Sequence, residues 1–303
     1  MQRWSRRQVL AGFAFALNLA AERRSPMTAD YIDAHVHVWT PDEARFPRDP
    51  CYSEPPAVPA SFTPERMLDI ARPLGVKRIV LIQMSFYGTD NSYMLDAMKR
   101  HPSVFSGVAV VNYDSASLGG EMTRLASLGV RGFRIDRGNR SSGWLETGNM
   151  LEMWRLAAEK KLAICPLIDP RSFPALDRMC TKFPNTTVVI DHMARIGIDG
   201  VVLDEDVTAL CNLARHPRIY VKISAFYALG KKEYPYTDLI PLIHALYDAY
   251  GPQRLMWGSD SPFQVETPHS YAGSLELVRE RLKFLRPEDA TWMLRGSAEE
   301  VFF

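Results

Sequence analysis

The feature that most constrains this chain is a regular alternation of two patterns. Eight short apolar runs, rich in Val, Ile, Leu and aromatic residues, are separated by segments with helical periodicity. The runs cover 30–39, 76–83, 104–111, 130–136, 162–168, 186–193, 219–225 and 254–260. Helical patterns at 64–74, 92–100, 118–128, 149–161, 172–183, 205–215 and 239–250 lie between them, and two more follow at 273–284 and 287–302. Runs that are apolar along most of their length suit parallel strands buried on both faces. Eight strand–helix units predict an α/β fold, the (β/α)8 TIM barrel, in a single domain over residues 30–303. The rival, an open doubly wound sheet, would carry a Gly-rich phosphate turn after its first strand. Here a Pro-rich segment, 41–64, follows instead, long enough to be a functional loop. Thr63-Pro64 has the form of a helix cap and first turn, and Gly75, Gly129 and Gly251 stand where helices should end.

The N-terminal residues fall outside this pattern. Ser5-Arg6-Arg7-Gln8-Val9-Leu10 precedes an apolar run from Ala11 to Ala21. Residues 1–29 therefore read as a twin-arginine export signal, which implies a periplasmic protein. The alternative is a mis-assigned start, with Met27 as the first residue and a cytoplasmic location. No later run is long enough to span a bilayer. A net charge of +1 gives no electrostatic case for nucleic acid or an anionic membrane as partner. Cys51, Cys165, Cys180 and Cys211 show no paired spacing and read as free thiols.

Chemistry in such barrels gathers at the C-terminal ends of the strands. The first run contains Asp33-Ala34-His35-Val36-His37, and two-residue spacing on a strand sends both imidazoles to one face. Gln83 ends the second run, Arg134 and Asp136 the fourth, and Arg140 lies just beyond. Asp191-His192 ends the sixth, Lys222 and Ser224 lie in the seventh, and Gly258-Ser259-Asp260 ends the eighth. The same spacing places Gly258 and Asp260 on one face. His35, His37, His192 and Asp260 suit a mononuclear Zn²⁺-like site. They equally suit a metal-free site in which the imidazoles polarise a carbonyl and Asp260 accepts a proton from water. Asp33 and Asp191 read as orienting or structural groups. Lys222 reads as a substrate-binding cation or as half of a buried ion pair. His101 and His216 fit helix ends, where they can meet terminal carbonyls; His244 reads as packing or surface, and His269 stays open.

The ordered set DAHVHVW (33–39), RIVLIQ (78–83), GTDN (88–91), GVRGFRID (129–136), VVIDHMAR (188–195) and MWGSD (256–260) resembles the amidohydrolase-related TIM-barrel hydrolases, a group of metal-dependent-hydrolase type. GTDN and DHMAR are most similar to its pyrone-dicarboxylate lactonases. The resemblance implies that Asp260 activates water and that His35, His37 and His192 surround the scissile carbonyl or hold a metal. It implies that Arg134, Arg140 and Arg195 line the substrate site, to which the strand-end reading adds Gln83 and Lys222. The strand-four lysine or glutamate that bridges two metals in the wider superfamily has no counterpart, so at most one divalent ion is expected, weakly bound and not strictly required. Ala228 and Leu167 stand near where those lactonases place a further arginine and a tyrosine. The expected activity is hydrolysis of a small carboxylated lactone or related ester. The alternatives are a Zn-dependent decarboxylase or hydratase on the same barrel, and a binding protein without activity.

Overall fold

The computed structural model describes residues 29–53, 58–136, 143–146 and 148–303. The export-signal reading over 1–29 lies, but for residue 29, outside the described residues, and so does Arg140, within 137–142. Eight parallel strands form one sheet in sequence order: β1 (Tyr31–Val36), β2 (Val76–Ile82), β3 (Phe105–Ala109), β4 (Val130–Asp136), β5 (Ala163–Leu167), β6 (Thr187–Ile190), β7 (Ile219–Ile223) and β8 (Leu255–Trp257). Helices α1 (Pro64–Ala71), α2 (Ser92–Arg100), α3 (Leu118–Ser127), α4 (Asn149–Lys160), α5 (Phe173–Lys182), α6 (Asp204–Asn212) and α7 (Ile240–Tyr250) alternate with them. Two helical stretches after β8 begin at Tyr271–Glu276 and Pro287–Thr291, and the chain finishes in Ser297–Phe302. Thr63 caps α1 by accepting from the Arg66 N–H, and Gly75 ends the following turn at φ 88°, a conformation that costs glycine little. All four cysteines are free.

Apolar packing has two layers. The larger lies between sheet and helices. The smaller fills the barrel with Ile32, Val80, Ile82, Val108, Val189 and Met256, and Phe302 joins it from the last helix. These are every second residue of their strands, as inward-facing side chains must be. Strand β1 breaks the rule. Ile32 and Ala34 face this interior, yet His35 reaches Arg134 and Lys222 in the same interior. The β1–β2 register shifts between Asp33 and Val36, and that irregularity changes which face the side chains meet.

Strand β4 fills its apolar run, but the other strands are shorter than theirs, most of all β1, β6 and β8, which end at Val36, Ile190 and Trp257 rather than at 39, 193 and 260. Gly258 and Asp260 therefore do not share a strand face; Asp260 has φ 62°. The barrel still closes through this non-strand segment. The Asp260 N–H donates to the His35 carbonyl at 2.8 Å, and the His37 N–H donates to the Ser261 carbonyl at 2.8 Å. Gly258 permits the approach, since a Cβ there would meet His35 Cβ at 2.8 Å and His35 N at 3.0 Å.

Asp33 binds the two ends of the sheet from outside. Its Oδ1 accepts from Ser259 N at 2.8 Å and from His35 N at 3.1 Å, and its Oδ2 accepts from the Tyr271 hydroxyl at 2.9 Å. Of the orienting and structural roles, its contacts are those of a structural clamp. Asp33→Ala should leave these buried donors without partners, at about 1–3 kcal/mol for each unsatisfied group. The expected result is a marked fall in denaturation midpoint, measured by urea titration, with Asp42→Ala on the surface loop as an unaffected control.

Candidate active site

The imidazoles converge where the strands end. The His35 ring centroid lies 5.1 Å from that of His37 and 4.3 Å from that of His192. Asp260 Oδ1 lies 3.3 Å from His37 Nε2 and 3.5 Å from His35 Nε2. Its Oδ2 lies 3.7 Å from His192 Nε2 and accepts from the Tyr227 hydroxyl at 2.7 Å. His192 arrives by backbone strain. His192, Met193, Ala194 and Arg195 all have φ between 49° and 60°, a left-handed turn that costs about 1–2 kcal/mol per residue. Met193 and Ala194 are wholly buried, and their packing offsets that cost.

Protons on the rings follow from their partners. His37 Nδ1 lies 3.0 Å from the Ile82 carbonyl, which only accepts, so Nδ1 carries a proton and Nε2 is turned to Asp260. His192 Nδ1 lies 2.8 Å from Ser224 Oγ. Burial pushes the His192 ring down to about 4. Burial, with the Lys222 charge, lowers His35 well below the ordinary histidine range. Both rings are neutral at pH 7. Burial alone would raise the Asp260 carboxyl, but His192 and His37 outweigh it and hold the group well below the usual carboxylate range. Tyr227 stays protonated, because burial and the Asp260 charge push its hydroxyl up.

Beneath this layer lies a buried charge group. Lys222 Nζ is 3.0 Å from Asp191 Oδ1 and 3.2 Å from His35 Nδ1, with both charged side chains inaccessible to solvent. His35 Nδ1 is also 3.3 Å from Asp191 Oδ1, and Arg134 Nε is 3.6 Å from Asp191 Oδ2. Burial would raise Asp191, yet Lys222 and Arg134 hold it ionised, well below its ordinary value. These are charge contacts by distance; neither Asp191 oxygen has an aligned hydrogen bond. Of the two readings of Lys222, the buried ion pair holds. It does not reach the cavity, so it is removed from the substrate-binding residues.

The cavity above the histidines measures about 740 Å³ and is lined by His37, His192 and Asp260 as well as by Gln83, Arg134 and Arg195. Gln83 Nε2 donates to the carbonyls of Gly88 and Asp90, so its amide nitrogen holds the loop that carries GTDN. His269 bonds the Tyr236 hydroxyl outside this lining, and His244 stacks on Phe284. His101 and His216 meet Glu65 and Asp177, carboxylates rather than helix carbonyls. Sequence reasoning missed Tyr227, and also Asn112 and Tyr113 after β3. Their one signal is position, since each follows the end of a strand.

His35, His37 and Asp260 each offer a ligand atom, all within 4.8 Å of one another. Asp260 Oδ1 is buried with no aligned hydrogen bond and lies 3.3 Å from His37 Nε2. Two electron-rich atoms in that relation suit a shared cation, and imidazole plus carboxylate suits Zn²⁺. Arg134 Nη1, 3.3 Å from His35 Nε2, brings positive charge to the same spot and opposes it. The residues thus fit a metal ion on His35, His37 and Asp260, with His192 beside the group rather than within it. Zn²⁺ should raise the thermal midpoint of apo protein and bind at no more than one ion per chain, and His37→Ala should abolish the rise. Elemental analysis giving two ions, or an undiminished rise in His37→Ala, would move the metal elsewhere.

A model of the amidohydrolase family matches residues 32–303. The chain is 29% identical over 242 residues to L-fucono-1,5-lactonase of Burkholderia ambifaria, covering 76% of this chain and 80% of the relative. It is 28% identical over 245 residues to 2-pyrone-4,6-dicarboxylate hydrolase of Comamonas testosteroni, covering 78% of each. The crystal structure of an amidohydrolase from Burkholderia multivorans with bound zinc superposes with a TM-score of 0.76 at 18% identity, over 90% of this chain and 99% of that one. The closed eight-stranded barrel, the histidines and aspartate at its strand ends and the family match over residues 32–303 together place this chain in the amidohydrolase family, as a TIM-barrel hydrolase.

Proposed function

We propose that this protein opens a small carboxylated lactone by attack of water, with Asp260 as general base. The observation that carries the reading is Asp260 itself: ionised, lining the cavity, with one oxygen held by Tyr227 and the other free of hydrogen-bond donors. A water placed at Oδ1 gives its proton to Asp260 as its oxygen bonds to the lactone carbonyl carbon. The ring C–O bond then breaks, and the proton passes from Asp260 to the departing ring oxygen, leaving a hydroxy acid. With Ser224 donating to Nδ1, His192 carries its proton on Nε2 and can donate to the carbonyl oxygen as negative charge develops there. Asp191 and Lys222 hold the His35 ring from below. Arg134 and Arg195 offer guanidinium groups to a substrate carboxylate. A divalent ion on His35, His37 and Asp260 would supply Lewis-acid polarisation of the carbonyl. The lactone-hydrolysing relatives support the reaction class.

Asp260→Asn should keep its circular dichroism spectrum and lose at least about 10²-fold in rate on any lactone the wild type opens, the lower end for losing a general base. Proton release in a pH-stat, with NMR identification of the hydroxy acid, measures it. Near wild-type turnover in this variant would remove Asp260 from the chemistry.

We also propose export through Arg6-Arg7. Arg6→Lys with Arg7→Lys should hold the protein in the cytoplasmic fraction. Native protein found only there and beginning at Met27 would establish the shorter start.

A further inference from the structure

We propose that Gln83 selects a substrate with a hydroxyl group on its body, through an amide oxygen that the fold leaves open to the cavity. This deepens the lactonase reading and rests on it for the reacting group, but it concerns recognition and can be tested by binding alone.

Gln83 follows the last residue of β2 and is buried, 4% exposed. Its Nε2 donates to the Asp90 carbonyl at 2.7 Å and to the Gly88 carbonyl at 3.3 Å. Carbonyl oxygens only accept, so the amide atom turned to them is the nitrogen, and reversing the amide would set oxygen against oxygen. The turn that supplies these carbonyls is itself braced. Asn91 Nδ2 donates to the Thr89 carbonyl at 2.9 Å and to the Val110 carbonyl at 2.8 Å, and its Oδ1 accepts from Val110 N at 3.0 Å. Gly88, at φ 52°, passes against the Asp49 carboxylate, where a Cβ would collide. The Gln83 side chain is therefore held in one orientation.

That orientation leaves Oε1 over. Among the described residues, no donor reaches it. Gln264 shows the contrasting case: its Nε2 is also taken, by the Tyr236 hydroxyl and the Ser270 carbonyl, but its Oε1 is sealed in the interior without a partner. Gln83 Oε1 is not sealed, and the open space that Gln83 borders is the cavity. An amide oxygen accepts and cannot donate. A molecule that drives water from it must bring an O–H or N–H of its own, or leave a desolvated acceptor unpaired. On a lactone, the group that meets this need is a hydroxyl.

Strand order locates that hydroxyl. Gln83 follows Ile82, whose carbonyl holds His37 Nδ1. Strand β2 flanks β1 on one side, and the Asp260–Ser261 segment flanks it on the other. Gln83 and Asp260 thus stand on opposite sides of His37. A carbonyl placed for water at Asp260 leaves Gln83 to the body of the molecule, away from the bond that breaks. Gln83 is a specificity residue and moves no proton in the reaction.

Calorimetry on the full chain tests this with two sets of inert probes, the 2-, 3- and 4-hydroxybenzoates and the matching fluorobenzoates. Fluorine is close to hydroxyl in size and cannot donate, and Arg134 and Arg195 offer every carboxylate the same cations. At least one hydroxybenzoate should bind at least about tenfold more tightly than its fluoro counterpart, the scale of one buried hydrogen bond. Gln83→Met or Gln83→Leu, whichever keeps the native circular dichroism spectrum, should erase that preference. Asn91→Ala loosens the same turn without touching Oε1 and should keep it. The proposal is overturned if no pair differs, if no hydroxybenzoate binds at millimolar concentration, if the Gln83 variant keeps the preference, or if Asn91→Ala loses it. A protein with the expected preference that opens no lactone would sink the lactonase reading and leave this one standing.

Discussion

Two backbone hydrogen bonds close this barrel, and the site depends on both. Asp260 N donates to the His35 carbonyl and His37 N donates to the Ser261 carbonyl, past the last residue of β8. Each fixes the main chain beside one imidazole, so the seam of the barrel is also the place where a carboxylate meets two histidines. Asp33 holds the same seam from the outer face, and Gly258 lets the two chains come close enough to form it. Stability and site geometry therefore rest on the same few atoms, and a change that loosens the seam displaces His35 and Asp260 together.

The side chains above the seam are aimed by irregular backbone. The β1 register shift turns His35 inward, the left-handed run 192–195 turns His192 and Arg195, and the positive φ of Asp260 turns its carboxylate. Such conformations persist where surrounding packing over-determines them, which in this chain means Met193, Ala194 and the seam itself. Below them, Asp191 keeps its charge because Lys222 and Arg134 share its burial. Removing one member would leave the others as uncompensated charge in a dry interior, which is why the group is best seen as one structural unit supporting His35.

The fold was legible to a large extent. Eight apolar runs correspond to eight strands, with boundaries that overshoot by up to three residues, because apolar residues continue into the turns that line the site. His35, His37, His192 and Asp260, named from strand ends alone, do converge. Tyr227 was not legible: nothing in Phe226-Tyr227-Ala228 marks a phenol that will reach the carboxylate beyond the neighbouring strand. Lys222 carried two readings because a lysine on an inward strand position can point to cavity or core, and only its depth decides.

By itself, the sequence determined what local periodicity can carry: the number of strands, their order as parallel units, the paired imidazoles and the terminal aspartate. Those are short-range facts, set by side-chain spacing and by apolar run length. Tertiary structure decided where the strands stop, which face β1 presents past Asp33, how His192 and Asp260 are turned, and that Lys222 is a buried partner of Asp191. These depend on hydrogen bonds and packing between residues far apart in the chain, and on backbone torsions that neighbouring residue types do not specify.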